Sequence, residues 1–193
     1  VKVGDRVCVE PLIVCGRCYY CQRGLYNRCL KVSVNYRAGQ SGFTKYFKFP
    51  ERWFHRIPDN LSFEEASLIE PLAVAVHNVR GAGLKMGDTA AILGAGPIGL
   101  LVLQVARAMG ASTLFITDTV DYRLSLAGEL GADYTINAAK EDPVQKVRTL
   151  TDGLGVDVCF EAVGIERTFN QAIKLLKKGG MARIIGTYGK PNI

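Results

Sequence analysis

The chain has 193 residues, 48% of them apolar and 22% charged, which suffices to bury a core; no apolar run reaches the roughly 20 residues that span a membrane. The net charge of +6 comes from Lys and Arg scattered along the chain, which argues against a nucleic-acid partner. Five of the six cysteines lie in the first 29 residues, too local a cluster for the disulfide framework of a secreted domain, and point to metal binding in a reducing, cytoplasmic compartment.

Two compositional halves follow one another, with a boundary expected between residues 72 and 73. In residues 1–72, positions 1–6 read as a strand and turn, with no signal-peptide character. Short apolar runs at 6–9 and 43–47, separated by Gly and Pro, predict short antiparallel strands joined by long ordered loops. Residues 73–193 alternate strand and helix. Strands are predicted at 90–93, 114–117, 134–136, 156–160 and 182–185. Helices are predicted at 97–109, 121–130, 143–151 and 165–178, the last closed by Gly179-Gly180, with Lys177 and Lys178 complementing its dipole. Five strands in βαβ order imply an α/β fold with a doubly wound parallel sheet. With no Met at position 1 and no sixth strand, the sequence reads as a partial chain.

Cys15, Cys18, Cys21 and Cys29 have the spacing C-x2-C-x2-C-x7-C. Two-residue gaps let neighbouring thiolates converge on one ion, and four of them close a tetrahedron with no water position, the pattern of a structural zinc site. An iron–sulfur cluster, a disulfide or a vestigial lobe are the competing fates. Cys8 and Cys159 sit inside apolar strands and read as small buried hydrophobes.

Gly94-Ala95-Gly96-Pro97-Ile98-Gly99 is a G-x-G-x-x-G between a predicted strand and a predicted helix, the context that gives the motif meaning. Gly94 allows the tight turn, Gly96 lets backbone approach a pyrophosphate, and Gly99 lets helix and strand pack closely. Asp118 follows Gly99 by 19 positions at the end of the second strand. There an acid can accept from both ribose hydroxyls and repel a 2′-phosphate, which favours NAD over NADP; the competing role is a cap on the next helix. Arg123 either stacks on adenine or is a solvated surface residue.

Glu70, beside Pro71 at the junction of the halves, either faces a cleft or stabilises a helix start. His77 is expected in or near a helix core, and His55 in packing or at the surface. Neither has a Ser or Cys neighbour suited to a hydrolytic triad.

Taken together, Gly4-Asp5-Arg6-Val7, Glu10-Pro11, the four-Cys lobe, Ile57-Pro58-Asp59-Asn60 with Ala66, and the glycine loop resemble, in order and spacing, the zinc-dependent medium-chain alcohol dehydrogenases. The stretch from Leu68 to His77 is similar to the polyol branch, typified by sorbitol dehydrogenase, and also to threonine and butanediol dehydrogenases. The resemblance implies a mostly β, GroES-like catalytic domain with a zinc lobe, followed by a Rossmann domain. It implies Cys15, Cys18, Cys21 and Cys29 as structural-zinc ligands, and Glu70 at the catalytic zinc, as ligand or neighbour. It also implies Arg123 at the adenosine, and Val163 and Gly186 beside the ribose and nicotinamide, in addition to Gly94, Gly96, Pro97, Ile98, Gly99 and Asp118. The implied reaction is hydride transfer from a secondary alcohol, a polyol above all, to NAD, in a cytoplasmic homo-oligomer (dimer or tetramer) without a membrane partner. The family's other catalytic-zinc ligands have no counterpart in these residues, so the chain alone is expected to be inactive. Two rival readings are a non-catalytic NAD-binding module and a zinc lobe that docks nucleic acid through Arg17, Arg23 and Arg28.

Overall fold

The computed structural model describes residues 1–34 and 42–189. The chain divides into two compact units, Val1–Glu70 and Pro71–Ile193.

In the first unit, β1 (Val7–Val9), β2 (Leu12–Ile13), β3 (Ser33–Val34) and β4 (Phe54–Arg56) form two antiparallel pairs, β1 with β4 and β2 with β3. Strands this short bury little, and the unit's core is the Cys lobe: Val14, Cys21, Cys29 and Trp53, with Cys15, Cys18 and Phe49 packed against them. The Arg6 guanidinium bonds the Leu61 carbonyl and lies 4.6 Å over the Phe63 ring. The short helix α1 (Phe63–Ala66) opens on a capping box: the Glu65 N–H donates to the Ser62 hydroxyl at 3.1 Å, and the Ser62 N–H to the Glu65 carboxylate at 2.7 Å.

The expected strand at 43–47 does not form. Phe43 and Tyr46 are almost fully exposed, so the run has no sheet or core to pack on. Residues 1–6 make a turn without a strand, and Cys8 is only half-buried, because among the described residues β1 pairs with β4 alone.

The second unit begins along α2 (Ile69–Gly81) and continues through β5 (Thr89–Leu93), α3 (Pro97–Ala108), β6 (Thr113–Asp118), α4 (Asp121–Glu129), β7 (Tyr134–Asn137), α5 (Pro143–Leu150), β8 (Val156–Glu161), α6 (Glu166–Leu175) and β9 (Leu176–Ile184). The five strands β5 to β9 form one parallel sheet in the order β7-β6-β5-β8-β9. Successive side chains alternate faces. Ala90, Ile92, Leu114, Ile116, Val158 and Phe160 pack with α2, α3 and α4. Ala91, Leu93, Phe115 and Cys159 pack with α5 and α6 through Val147, Ala172 and Leu175. Helices thus cover both faces, which is why the strands read as unbroken apolar runs. Each fully buried Phe, Ile or Leu contributes about 1.5–3 kcal/mol of transfer free energy.

His77 is exposed on α2, whose buried stripe is Ala75, Asn78 and Val79. The last helix ends at Leu175, not 178. Leu176 turns extended and pairs with Val156, and a register shift across the following Gly179-Gly180 puts Met181 opposite Val158. Lys177 therefore lies in β9 and ion-pairs with Asp157 instead of facing a helix end. Gly179-Gly180 resembles a helix stop in sequence, but serves here as a bulge within a strand.

Candidate metal and dinucleotide sites

In the lobe, the backbone wraps through two 3-10 turns, Cys21–Arg23 and Tyr26–Arg28, and Gly24 at φ 73° closes the first. The wrap brings one sulfur each from Cys15, Cys18, Cys21 and Cys29 within 4.8 Å of one another, with 4.0 Å between Cys18 and Cys29. A zinc–sulfur bond of about 2.3 Å implies tetrahedral edges near 3.8 Å, so a small contraction closes the set on one ion. The Cys29 sulfur also accepts from the Cys15 and Lys31 N–H groups, each at 3.3 Å. Such donors stabilise a thiolate. Backbone hydrogen bonds at Cys21 and Leu30 pull the Cys18 thiol down to about 6, and one at Arg17 lowers Cys15. Burial, with the neighbouring sulfurs, pushes Cys21 up to about 12, so that ligand needs a cation to ionise. Four clustered sulfurs with donors turned toward them fit zinc. Of the lobe's arginines, Arg23 folds back on Tyr19, 3.6 Å from its ring.

The second site lies at the carboxyl end of the sheet, where the strand order reverses between β5 and β8, the crevice in which doubly wound folds bind ligands. Gly94 leaves β5 at φ 100° and donates its N–H to the Thr117 carbonyl at 2.8 Å. A Cβ on Gly99 would sit 1.8 Å from the Gly94 carbonyl oxygen, so the first turn of α3 touches the loop backbone to backbone. A Cβ on Gly96 would meet nothing within 4 Å. It would project into open space beside an α3 N-terminus that has Pro97 in its first turn and no side-chain cap. An uncapped helix start behind a bare backbone suits a phosphate.

Asp118 ends β6 with its side chain nearly buried. One carboxylate oxygen accepts from the Thr119 and Val120 N–H groups at 2.8 and 3.0 Å, and the other from the Ala95 N–H at 2.9 Å. The bond to Ala95 ties Asp118 directly to the glycine loop. The helix-cap alternative fails, because the N-cap of α4 is Val120. Arg123 lies in the first turn of α4, half-exposed, with its guanidinium 3.5 Å from the Asp118 carboxylate.

Gly94, Gly96, Asp118, Arg123 and Val163 line one cavity of about 320 Å3. Pro97, Ile98 and Gly99 build the helix start behind it. Gly186 does not line the cavity and instead abuts Gly164 and Glu161. Arg167 and Thr168 on α6 line it too, and sequence reasoning passed over both, since nothing in a polar helix face marks which turn meets a ligand. It also passed over Glu161, a fully buried acid at the end of an apolar strand, a signal legible in the sequence. A larger groove of about 660 Å3 shares Arg167 and Gln171 but is open, polar and without a glycine loop, so the smaller cavity is the better candidate. Glu70 stands exposed in the first turn of α2, where a carboxylate favours the helix dipole.

Residues 1–59 match the alcohol dehydrogenase GroES-like domain, and residues 97–193 match the family described as zinc-binding dehydrogenase. The chain belongs to the zinc-binding, medium-chain alcohol dehydrogenase family. It is 40% identical to sorbitol dehydrogenase of Bacillus subtilis over 96% of this chain and 53% of that one. It is 39% identical to L-threonine 3-dehydrogenase of Pyrococcus horikoshii, over 100% and 56%. Among solved structures, a short chain alcohol dehydrogenase of Escherichia coli CFT073 complexed with NADH superposes with a TM-score of 0.90 at 29% identity, covering 99% of this chain and 56% of that one. The chain thus spans about half the length of these relatives. The family accounts for the two sites together: a zinc lobe in one unit and a dinucleotide fold in the other. Among the described residues no helix is long and apolar enough to cross a membrane.

Proposed function

We propose that this chain serves a zinc-dependent oxidoreductase that transfers hydride from a secondary alcohol, above all a polyol, to NAD. Cys15, Cys18, Cys21 and Cys29 hold a structural zinc. Gly94, Gly96, Pro97, Ile98 and Gly99 carry the pyrophosphate, Asp118 the adenosine ribose, and Arg123 the adenine. Val163 and Gly186 flank the ribose and nicotinamide. Glu70 belongs to the catalytic zinc, as ligand or neighbour, a role that rests on the resemblance of the 68–77 stretch. When bound, NAD accepts the hydride and a catalytic zinc polarises the alcohol oxygen. The protein's own part is placement and charge. The working assembly is a cytoplasmic homo-oligomer. The 39% identity to a threonine dehydrogenase keeps threonine as the second substrate reading.

The observation that carries the cofactor choice is Asp118, held rigid by three backbone N–H groups at the wall of the cavity. A fixed carboxylate there accepts from ribose hydroxyls, while a 2′-phosphate would meet it charge to charge. Arg123 must swing off that carboxylate when the nucleotide enters. NADH is expected to bind at least about tenfold more tightly than NADPH, a difference of about 1.4 kcal/mol. Asp118→Asn, which keeps an oxygen for the Ala95 N–H, should narrow the gap. Fluorescence titration with both cofactors measures it, and equal affinities in the native chain refute the assignment. Assays of the complete reading frame against sorbitol, xylitol, threonine and butanediol decide the substrate. Turnover of threonine with no polyol defeats the polyol reading and leaves the family intact.

A further inference from the structure

The Glu161 carboxylate is fully buried and has none of the roles described so far. One of its oxygens accepts from the Val163 and Gly164 N–H groups, each at 2.9 Å, and from the Thr168 hydroxyl at 2.7 Å. The other accepts from the Tyr188 hydroxyl at 2.8 Å. Four donors satisfy both oxygens of a carboxyl that burial has taken from water. The Glu161 carbonyl in turn accepts from the Ile185 and Gly186 N–H groups, at 2.8 and 3.0 Å. A single residue therefore grips three segments: the loop after β8, the first turn of α6, and the chain beyond β9.

Those segments leave each other no slack. A Cβ on Gly164 would lie 2.6 Å from the Thr187 carbonyl oxygen, and one on Gly186 would lie 2.3 Å from the Gly164 nitrogen and 2.7 Å from the Glu161 carboxylate. The same segments supply Ala162, Val163, Ile165 and Thr168 to the wall of the dinucleotide cavity. Val163 closes on the glycine loop, for a Cβ on Gly94 would lie 2.8 Å from its side chain.

We propose that Glu161 is a positioning residue of the cofactor site: its carboxylate sets the Val163–Gly164 turn, and through Tyr188 the segment 185–188, in the geometry that receives the dinucleotide. The proposal rests on the cofactor reading above. Glu161 does not face the cavity, so it acts through the backbone it holds. Its hydrogen-bond geometry matters more than its charge. A Gln carbonyl can keep the three donors on one oxygen, and the Tyr188 hydroxyl can rotate to accept from the amide.

The test is NADH titration of the native chain, Glu161→Gln, Glu161→Ala and Tyr188→Phe, each well below its own melting transition. Asp157→Asn serves as a control, weakening the far end of the same strand, where Asp157 pairs with Lys177. Glu161→Ala should bind NADH about tenfold more weakly, with Glu161→Gln within about threefold of native and Asp157→Asn unchanged. Tyr188→Phe, which removes one hold on segment 185–188 and leaves the Ile185 and Gly186 N–H groups on the Glu161 carbonyl, should lose about threefold, and decides the matter if Glu161→Ala does not fold. Native-like binding by a folded Glu161→Ala, or by Tyr188→Phe in its absence, overturns the proposal. So does equal loss in the Gln and Ala variants, or in the Asp157→Asn control, since either would mean charge or general stability was at work. A native chain that binds neither NADH nor NADPH overturns the cofactor reading itself, and this role with it.

Discussion

At the scale of single residues, two glycines of one motif are open to opposite tests. The Cβ of Gly99→Ala would lie 1.8 Å from the Gly94 carbonyl, backbone against backbone, and neither side can yield without shifting β5 or α3. Overpacking of this kind costs about 1–3 kcal/mol or more, so Gly99→Ala should lower the urea midpoint and weaken NADH binding together. The Cβ of Gly96→Ala meets open space. That variant should melt as the native chain does, yet bind NADH at least about tenfold more weakly, because the methyl occupies the approach of the pyrophosphate. If both variants melt normally, the close packing at Gly99 is wrong. If Gly96→Ala binds normally, the phosphate is elsewhere. The motif and the division of labour between its glycines were legible in the sequence; the structure adds how tight the packing at Gly99 is and that the space beside Gly96 is open.

At the scale of elements, β5, β8 and β9 are pinned at their amino ends by Asp157. Its carboxylate accepts from the Thr89 N–H and hydroxyl at 3.0 and 2.9 Å, and pairs with Lys177. Burial alone would raise this carboxyl, but the bonds from Lys177 and Thr89 outweigh it and hold it below the usual range. The bond to Asp157 raises Lys177. A carboxyl depressed by folding contributes stability that is complete above its unfolded value of about 3.9 and lost as pH falls through the folded value. A raised lysine contributes below its unfolded value of about 10.4 and loses that contribution as pH rises through the folded value. Asp157→Asn, which keeps an oxygen for Thr89, should therefore be less stable than native at pH 7, with the gap closing as the pH falls below the unfolded value and through the lowered folded one. Urea unfolding across that range measures it, and a gap that stays constant means the ion pair contributes nothing. The sequence could not reveal this pin, because its partners lie 68 and 20 positions apart and meet only in the sheet; Lys177 was accordingly misread as a helix-end charge.

At the scale of the molecule, each unit has its own core and its own candidate ligand. The only tryptophan, Trp53, packs in the cluster with Cys21 and Cys29, so its fluorescence reports on the lobe. A strong chelator should shift Trp53 emission and expose thiols to a thiol reagent, with about one zinc released per chain. Metal release should steepen as pH falls, since protons compete for the thiolates. NADH should instead stabilise the Rossmann unit, by about 2.7 kcal/mol at a hundredfold excess over its dissociation constant, and so raise its melting transition. A lobe that is metal-free when purified under reducing conditions, or in which cysteines are paired with one another, defeats the zinc assignment.

The sequence by itself determined the family and the parallel sheet and outlined both candidate sites, because each is carried by local signals. Cysteine spacing places four sulfurs within a short loop, a glycine motif fits only between strand and helix, and strands buried on both faces read as apolar runs. The tertiary structure alone decided where α6 stops, since Leu176 pairs with Val156 before the glycines are reached. It decided that 43–47 forms no strand and that His77 faces outward, because amphipathic pattern does not say which surface finds a partner. It decided that Asp118 is tied to the glycine loop and that Arg123 pairs with it. It also decided that Glu161 gathers three segments. Hydrogen bonds between residues far apart in the chain have no period or spacing to betray them; they exist only once the sheet has brought their ends together.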